Sequence, residues 1–116
     1  MKCMLVTVVE TPAYLSKAGQ IMTSGELSAV VDMISAAPLS GDVIRGSGGL
    51  RKMRVGLQGR GKRGGGRVIY WFYNEEFPAV LLWAFAKNEV SDLTRQQLAL
   101  LAKAADGLLE DFRRTK

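Results

Sequence analysis

Residues 68–73 read Val-Ile-Tyr-Trp-Phe-Tyr. Side chains of a strand alternate between the two faces of its sheet, so a run that is apolar on both faces has to be covered on both. A chain carrying such a run needs a sheet with this strand, Arg67 to Tyr73, near its centre. Its neighbours are legible nearby. Leu50 to Leu57 and Ala79 to Ala86 read as strands, and Asn74 to Pro78 holds the turn residues that join the last two. A fourth strand, Met4 to Val9, is short and rich in β-branched residues.

Helix signals flank these strands. Thr11-Pro12 reads as an N-cap followed by proline at the first helical position. A helix running through Met22 places Leu15, Ala18, Ile21 and Met22 on one face. Thr23 and Glu26 have capping-box spacing and start a second helix, with Leu27, Val30, Val31 and Ile34 as its apolar stripe and Pro38 and Gly41 as its end. Thr94 and Gln97 repeat the box, and Leu93 with Leu98 suits a hydrophobic staple. Behind them Leu101, Ala102, Ala105, Leu108, Leu109 and Phe112 recur at helical spacing. The order β-α-α-β-β-β-α predicts an α+β fold: a small, mostly antiparallel four-stranded sheet, two N-terminal helices forming a hairpin over it, and a C-terminal helix. At 116 residues this is a single domain, residues 1–116.

Charge narrows the function. From Val43 to Asn74 there is no Asp or Glu, yet Arg45, Arg51, Lys52, Arg54, Arg60, Lys62, Arg63 and Arg67 lie there, eight of the chain's 16 basic residues. Glycines intersperse them, and glycine lets backbone N–H groups approach an anion closely. Guanidinium forks match phosphate oxygens. Alternation along the strand puts Lys52 and Arg54 on one face and Arg51 on the other. The segment runs into Tyr70, Trp71 and Tyr73, whose rings are of the kind that stack on bases, although Tyr70 and Phe72 read better as core. The alternative is a solvated basic hairpin without a partner.

Composition removes other chemistries. There is no histidine and a single cysteine, Cys3. That leaves no disulfide framework, no multi-cysteine zinc site and no Ser-His or Cys-His nucleophile, so no metal or cofactor is expected. Gly59 to Gly64 spells G-x-G-x-x-G, but a strand follows where a dinucleotide site needs a helix. Gly56 to Arg63 approaches a P-loop, but Arg63 stands where a magnesium-binding hydroxyl belongs. The apolar run at the N-terminus is too short for a signal peptide or a membrane span, which gives a cytoplasmic expectation without a membrane partner.

The string GDVIRGSGGLRKMRVGLQGRGKRGGGRVIYWFY, followed by LLWAFAKNEVSDLT, resembles the RelE-type toxins of bacterial type II toxin–antitoxin modules, and within them the HigB-like branch. Gly41 to Tyr73 and Leu81 to Leu93 fall in register with that pattern, while the first third agrees in element order alone. The resemblance implies a compact microbial RNase-like fold. It implies a ribosome-dependent endoribonuclease that cleaves translated mRNA in the ribosomal A site. Its partners would be the ribosome, mRNA and an antitoxin of the HigA-like, helix-turn-helix kind.

Such cleavage needs no histidine or metal in principle, because RNA carries its own nucleophile, the 2′-hydroxyl. Positioned cations stabilise the charge that builds on phosphate. On the resemblance, Arg67, Lys87, Arg54 and Lys52 are the catalytic candidates. Arg67 is the choice for phosphate charge, and Lys87 for proton donation or a second clamp. Arg51, Arg60, Lys62, Arg63 and Arg45 are candidates for gripping mRNA or the ribosome. Glu89 and Tyr70 are candidates for an orienting group or base, with a surface ion pair as the alternative for Glu89. Two other functions stay open: a ParE-like inhibitor of DNA gyrase, and a non-catalytic basic RNA-binding protein.

Overall fold

A computed structural model of the chain describes residues 5–57, 61–90 and 92–115, with residues 61–64 described by backbone alone. The elements run β1 (Val8–Glu10), α1 (Pro12–Ala18), α2 (Ser24–Ala36), β2 (Asp42–Val43), β3 (Leu50–Leu57), β4 (Gly61–Trp71), β5 (Ala79–Ala86) and α3 (Arg95–Arg114). They form one sheet in the order β1-β5-β4-β3-β2. The expected α+β order holds, with β2 as an additional strand. β4 is central, as its two apolar faces require. It pairs antiparallel with β3 and β5, and β2 pairs antiparallel with β3. Only β1 breaks the pattern, lying parallel to the β5 edge.

Each face of β4 meets its own core. Val68 and Tyr70 point toward α1 and α2, where Tyr14, Ala18, Val30 and Ile34 are buried. Ile69 and Trp71 point the other way, with Leu50, Val80 and Phe85, toward Ala105, Leu101 and Phe112 of α3. Burying side chains such as Val68 and Ile69, both 0% exposed, stabilises the fold by about 1.5–3 kcal/mol each. Trp71 is sandwiched: its ring stacks on Phe112 at 6.0 Å and on Tyr73 at 6.3 Å. Tyr70 and Trp71 are therefore core rings and have no face open to a base. Tyr73 remains half-exposed, but its hydroxyl accepts from Arg113 at the far end of α3.

Both capping boxes form, Thr23 with Glu26 and Thr94 with Gln97. Thr11 caps α1 by accepting from the Tyr14 N–H, and its own hydroxyl donates to Leu81 O at 2.7 Å, tying the helix start to β5.

Several boundaries differ from expectation, among them the end of β4, at Trp71 and not Tyr73. The first strand is only Val8–Glu10, because Val6 is engaged by Ser35 of α2 through both its N–H and its carbonyl. α1 stops at Ala18 instead of Met22, capped by Gly19. β4 starts at Gly61, so part of the glycine-rich stretch is strand and pairs with Leu57. No helix among the described residues is long and apolar enough to cross a membrane.

Candidate functional site

The β3–β4 register decides which cations meet. Arg54 lies opposite Arg67, and Lys52 opposite Ile69. Residues opposite each other share a face, so Lys52, Arg54 and Arg67 all project from the α3 face. Across β4, Arg67 is also opposite Phe85 of β5. Arg67 is only 8% exposed. Its guanidinium donates to the Gly66 carbonyl at 3.0 Å, and among the described residues no carboxylate pairs with it. A group with five N–H donors thus has most of its capacity unused in a covered position. Arg54 is exposed beside it. Lysine 87 follows directly on β5, and its backbone N–H continues the ladder to Gly65 O at 2.9 Å.

A carboxylate that sequence reasoning had missed joins this group. Asp92 lies within 3.2 and 3.3 Å of the Lys52 ammonium through its two oxygens. One of those oxygens also accepts the Leu93 N–H at 2.8 Å. Partial burial pushes the Asp92 carboxyl up. The Leu93 N–H, the Lys52 ammonium and the charge of Lys87 outweigh that and hold it below its ordinary value. The only sequence signal was an acid just ahead of the Thr94 cap. Nothing local relates it to a lysine 40 residues away.

Other candidates lie elsewhere. Arg51 projects from the opposite face, as alternation requires, and donates to Gly41 O at 2.7 Å and Leu39 O at 3.2 Å. Tyr70 is on that face too, 0% exposed. Its hydroxyl donates to Pro38 O at 2.7 Å and accepts from the Gly41 N–H at 2.9 Å. Both side chains anchor the segment between α2 and β2, so Tyr70 is not beside the cation row as an orienting group or base. The Gly41 position must be glycine for the same reason, since a Cβ there would come within 2.8 Å of the Tyr70 ring. Glu89 is exposed and lines a cleft with Lys17, Gln20 and Ile21, on the α1 side of β5. Arg45 is exposed in the β2–β3 loop. Arg60 lies outside the described residues, as do the side chains of Lys62 and Arg63.

The result is a cationic row, Lys52, Arg54 and Arg67, next to Lys87 and Asp92 where β5 hands over to α3. Chemically such a row is suited to an anion such as phosphate, with one arginine held nearly out of water, where a charge acts most strongly.

Two comparisons bear on this geometry. Residues 17–114 match the family model described as the RelE toxin of the RelE / RelB toxin-antitoxin system. Among solved structures, that of E. coli toxin RelE, a mutant in the free state, aligns with a TM-score of 0.54 at 14% identity, covering 76% of this chain and 90% of that one. At that identity the likeness is one of fold.

Proposed function

The chain belongs to the RelE toxin family, and from that premise we propose that it is a ribosome-dependent, metal-independent endoribonuclease of the HigB-like branch, cleaving mRNA in the ribosomal A site. A toxin of this family is one half of a toxin–antitoxin pair, which gives it an antitoxin partner. We read that partner as HigA-like, with a helix-turn-helix domain, and the site of action as the cytoplasm.

The observation that carries the nuclease reading is Arg67, covered, without a carboxylate partner among the described residues, and opposite Arg54. An uncompensated buried charge destabilises a fold, and such groups cluster where function requires them. In the reaction the 2′-hydroxyl gives up its proton to solvent as its oxygen bonds to the adjacent phosphorus, the bond from phosphorus to the 5′-oxygen breaks, and the 5′-oxygen takes up a proton. Arg67 stabilises the charge gathering on the phosphoryl oxygens. Arg54 and Lys52 hold the phosphate in line, and Lys87 supplies the proton or a second clamp. Exposed Arg45 adds to the general grip on RNA, together with Arg60, Lys62 and Arg63.

Primer extension on a defined mRNA, incubated with purified protein with and without translating ribosomes, tests this. Cuts within codons only during translation are expected. Cuts in naked RNA would make it a free-standing ribonuclease. No cuts in either lane, from folded protein, would overturn the nuclease reading in favour of gyrase inhibition or plain RNA binding.

A further inference from the structure

We infer that Asp92 is the positioning residue for Lys52, holding its ammonium at the phosphate-binding face while leaving an N–H free for RNA. The inference rests on the nuclease reading above and assigns a role within the same site.

Lysine is a flexible point charge, and on an open sheet face it samples many rotamers. Lys52 is not left free. Both Asp92 oxygens sit at 3.2–3.3 Å from its nitrogen. The carboxylate is itself fixed, because the Leu93 N–H holds one oxygen and the Thr94–Gln97 box starts α3 immediately after. The mount is therefore the capped head of a 20-residue helix. Lys52 is the more covered partner, its side chain 30% exposed against 57% for Asp92. Lys52 nonetheless keeps 30% of its side chain exposed, so its ammonium stays within reach of a ligand at the surface. An ammonium has three N–H donors, so Asp92 and a phosphoryl oxygen can share it.

This arrangement predicts effects of opposite sign. The Asp92 charge repels RNA phosphate, so it weakens binding. It also fixes Lys52, so it speeds the chemical step. A residue that served only to build the α3 entry would impair both.

The test compares wild type, Asp92→Asn, Asp92→Glu and Asp111→Asn. The Asn variant keeps an oxygen for the Leu93 N–H and loses the charge. Asp111 pairs with Arg114 within α3 and controls for net charge alone. Binding is read on translating ribosomes whose A-site codon carries 2′-deoxy nucleotides, which cannot be cut by 2′-hydroxyl attack. Cleavage is read as the single-turnover rate on the all-ribose message.

Asp92→Asn should bind roughly threefold tighter and cut roughly tenfold slower. Asp92→Glu should recover part of the rate, and Asp111→Asn should match wild type. Asp92→Asn behaving like Asp111→Asn, or losing binding and rate together, would overturn the inference and leave the nuclease reading standing. A wild-type protein that cuts nothing would overturn that reading, and this inference with it.

Discussion

Arg54 and Arg67 stand directly opposite each other across β3 and β4, on one face, with no carboxylate among the described residues paired to either. Like charges in directly opposed positions destabilise a sheet. Here one of the two is also 8% exposed. Replacing Arg67 with an apolar side chain of similar length should therefore stabilise the fold while removing function. For Arg67→Met we expect a gain of about 1–2 kcal/mol, seen as a melting temperature higher by about 3–6 °C, together with loss of cleavage. Thermal unfolding by circular dichroism reads the first. An Arg67→Met variant that melts well below wild type would mean the guanidinium is satisfied in a way this geometry lacks.

The opposite face makes the contrary prediction. Tyr70→Phe leaves the Gly41 N–H and the Pro38 carbonyl without the hydroxyl that now joins them. Losing these bonds in a buried place should cost about 2 kcal/mol. Arg51→Ala, which releases Leu39 O and Gly41 O, should destabilise less, because those carbonyls lie nearer solvent. Both variants, while folded, should still cleave. Urea titration paired with the cleavage assay separates this anchoring role from a catalytic one.

Tyr14 gives a pH-dependent prediction. Its ring is 0% exposed, and among the described residues its hydroxyl has no hydrogen-bond partner. Burial, then the negative charge of Glu10, push its pKa from 10.0 up to about 12. A folded-state pKa above the unfolded one favours the fold while the phenol is neutral in both states. That contribution is complete below the unfolded value and is lost as pH rises toward the folded one. Wild type should lose stability between pH 10.0 and about 12, and Tyr14→Phe should lack this component. At neutral pH Tyr14→Phe should be neutral or slightly stabilising, since it removes an unsatisfied buried hydroxyl. Urea midpoints across that pH range report both effects.

Lys52 and Arg54 touch phosphate, on this account, and not bases. Lys52→Ala and Arg54→Ala should each weaken binding to single-stranded RNA without regard to sequence. Each should also flatten the slope of log affinity against log salt by about 0.7. A change in base preference with an unchanged slope would contradict the clamp.

What could be read from the sequence was whatever local chemistry decides. Thr23–Glu26 and Thr94–Gln97 cap their helices because the cap depends on four consecutive residues. Lys52 and Arg54 share a face because strand geometry alternates. The two-sided apolar run of β4 placed it at the centre of the sheet. What was hidden depends on distant partners. β2 is a two-residue strand whose ladder partners are Arg51 and Lys52 of β3. The first strand is shortened by Ser35 of α2. Arg67 could be singled out by position, but its burial, at 8% exposed, is set by the folded sheet. Asp92 joins Lys52 only once α3 has folded back across the sheet.

On the nuclease reading, Arg67 acts on the reacting phosphate and is not merely one cation among several. The most direct measurement compares Arg67→Ala with Arg54→Ala for binding to 2′-deoxy-blocked ribosome complexes and for single-turnover cleavage of the all-ribose message. Arg67→Ala should bind within about threefold of wild type and cut at least about a hundredfold slower, with Arg54→Ala showing a smaller gap between the two. Equal losses of binding and cleavage for Arg67→Ala, matching those of Arg54→Ala, would contradict it and leave the basic row as an RNA grip alone.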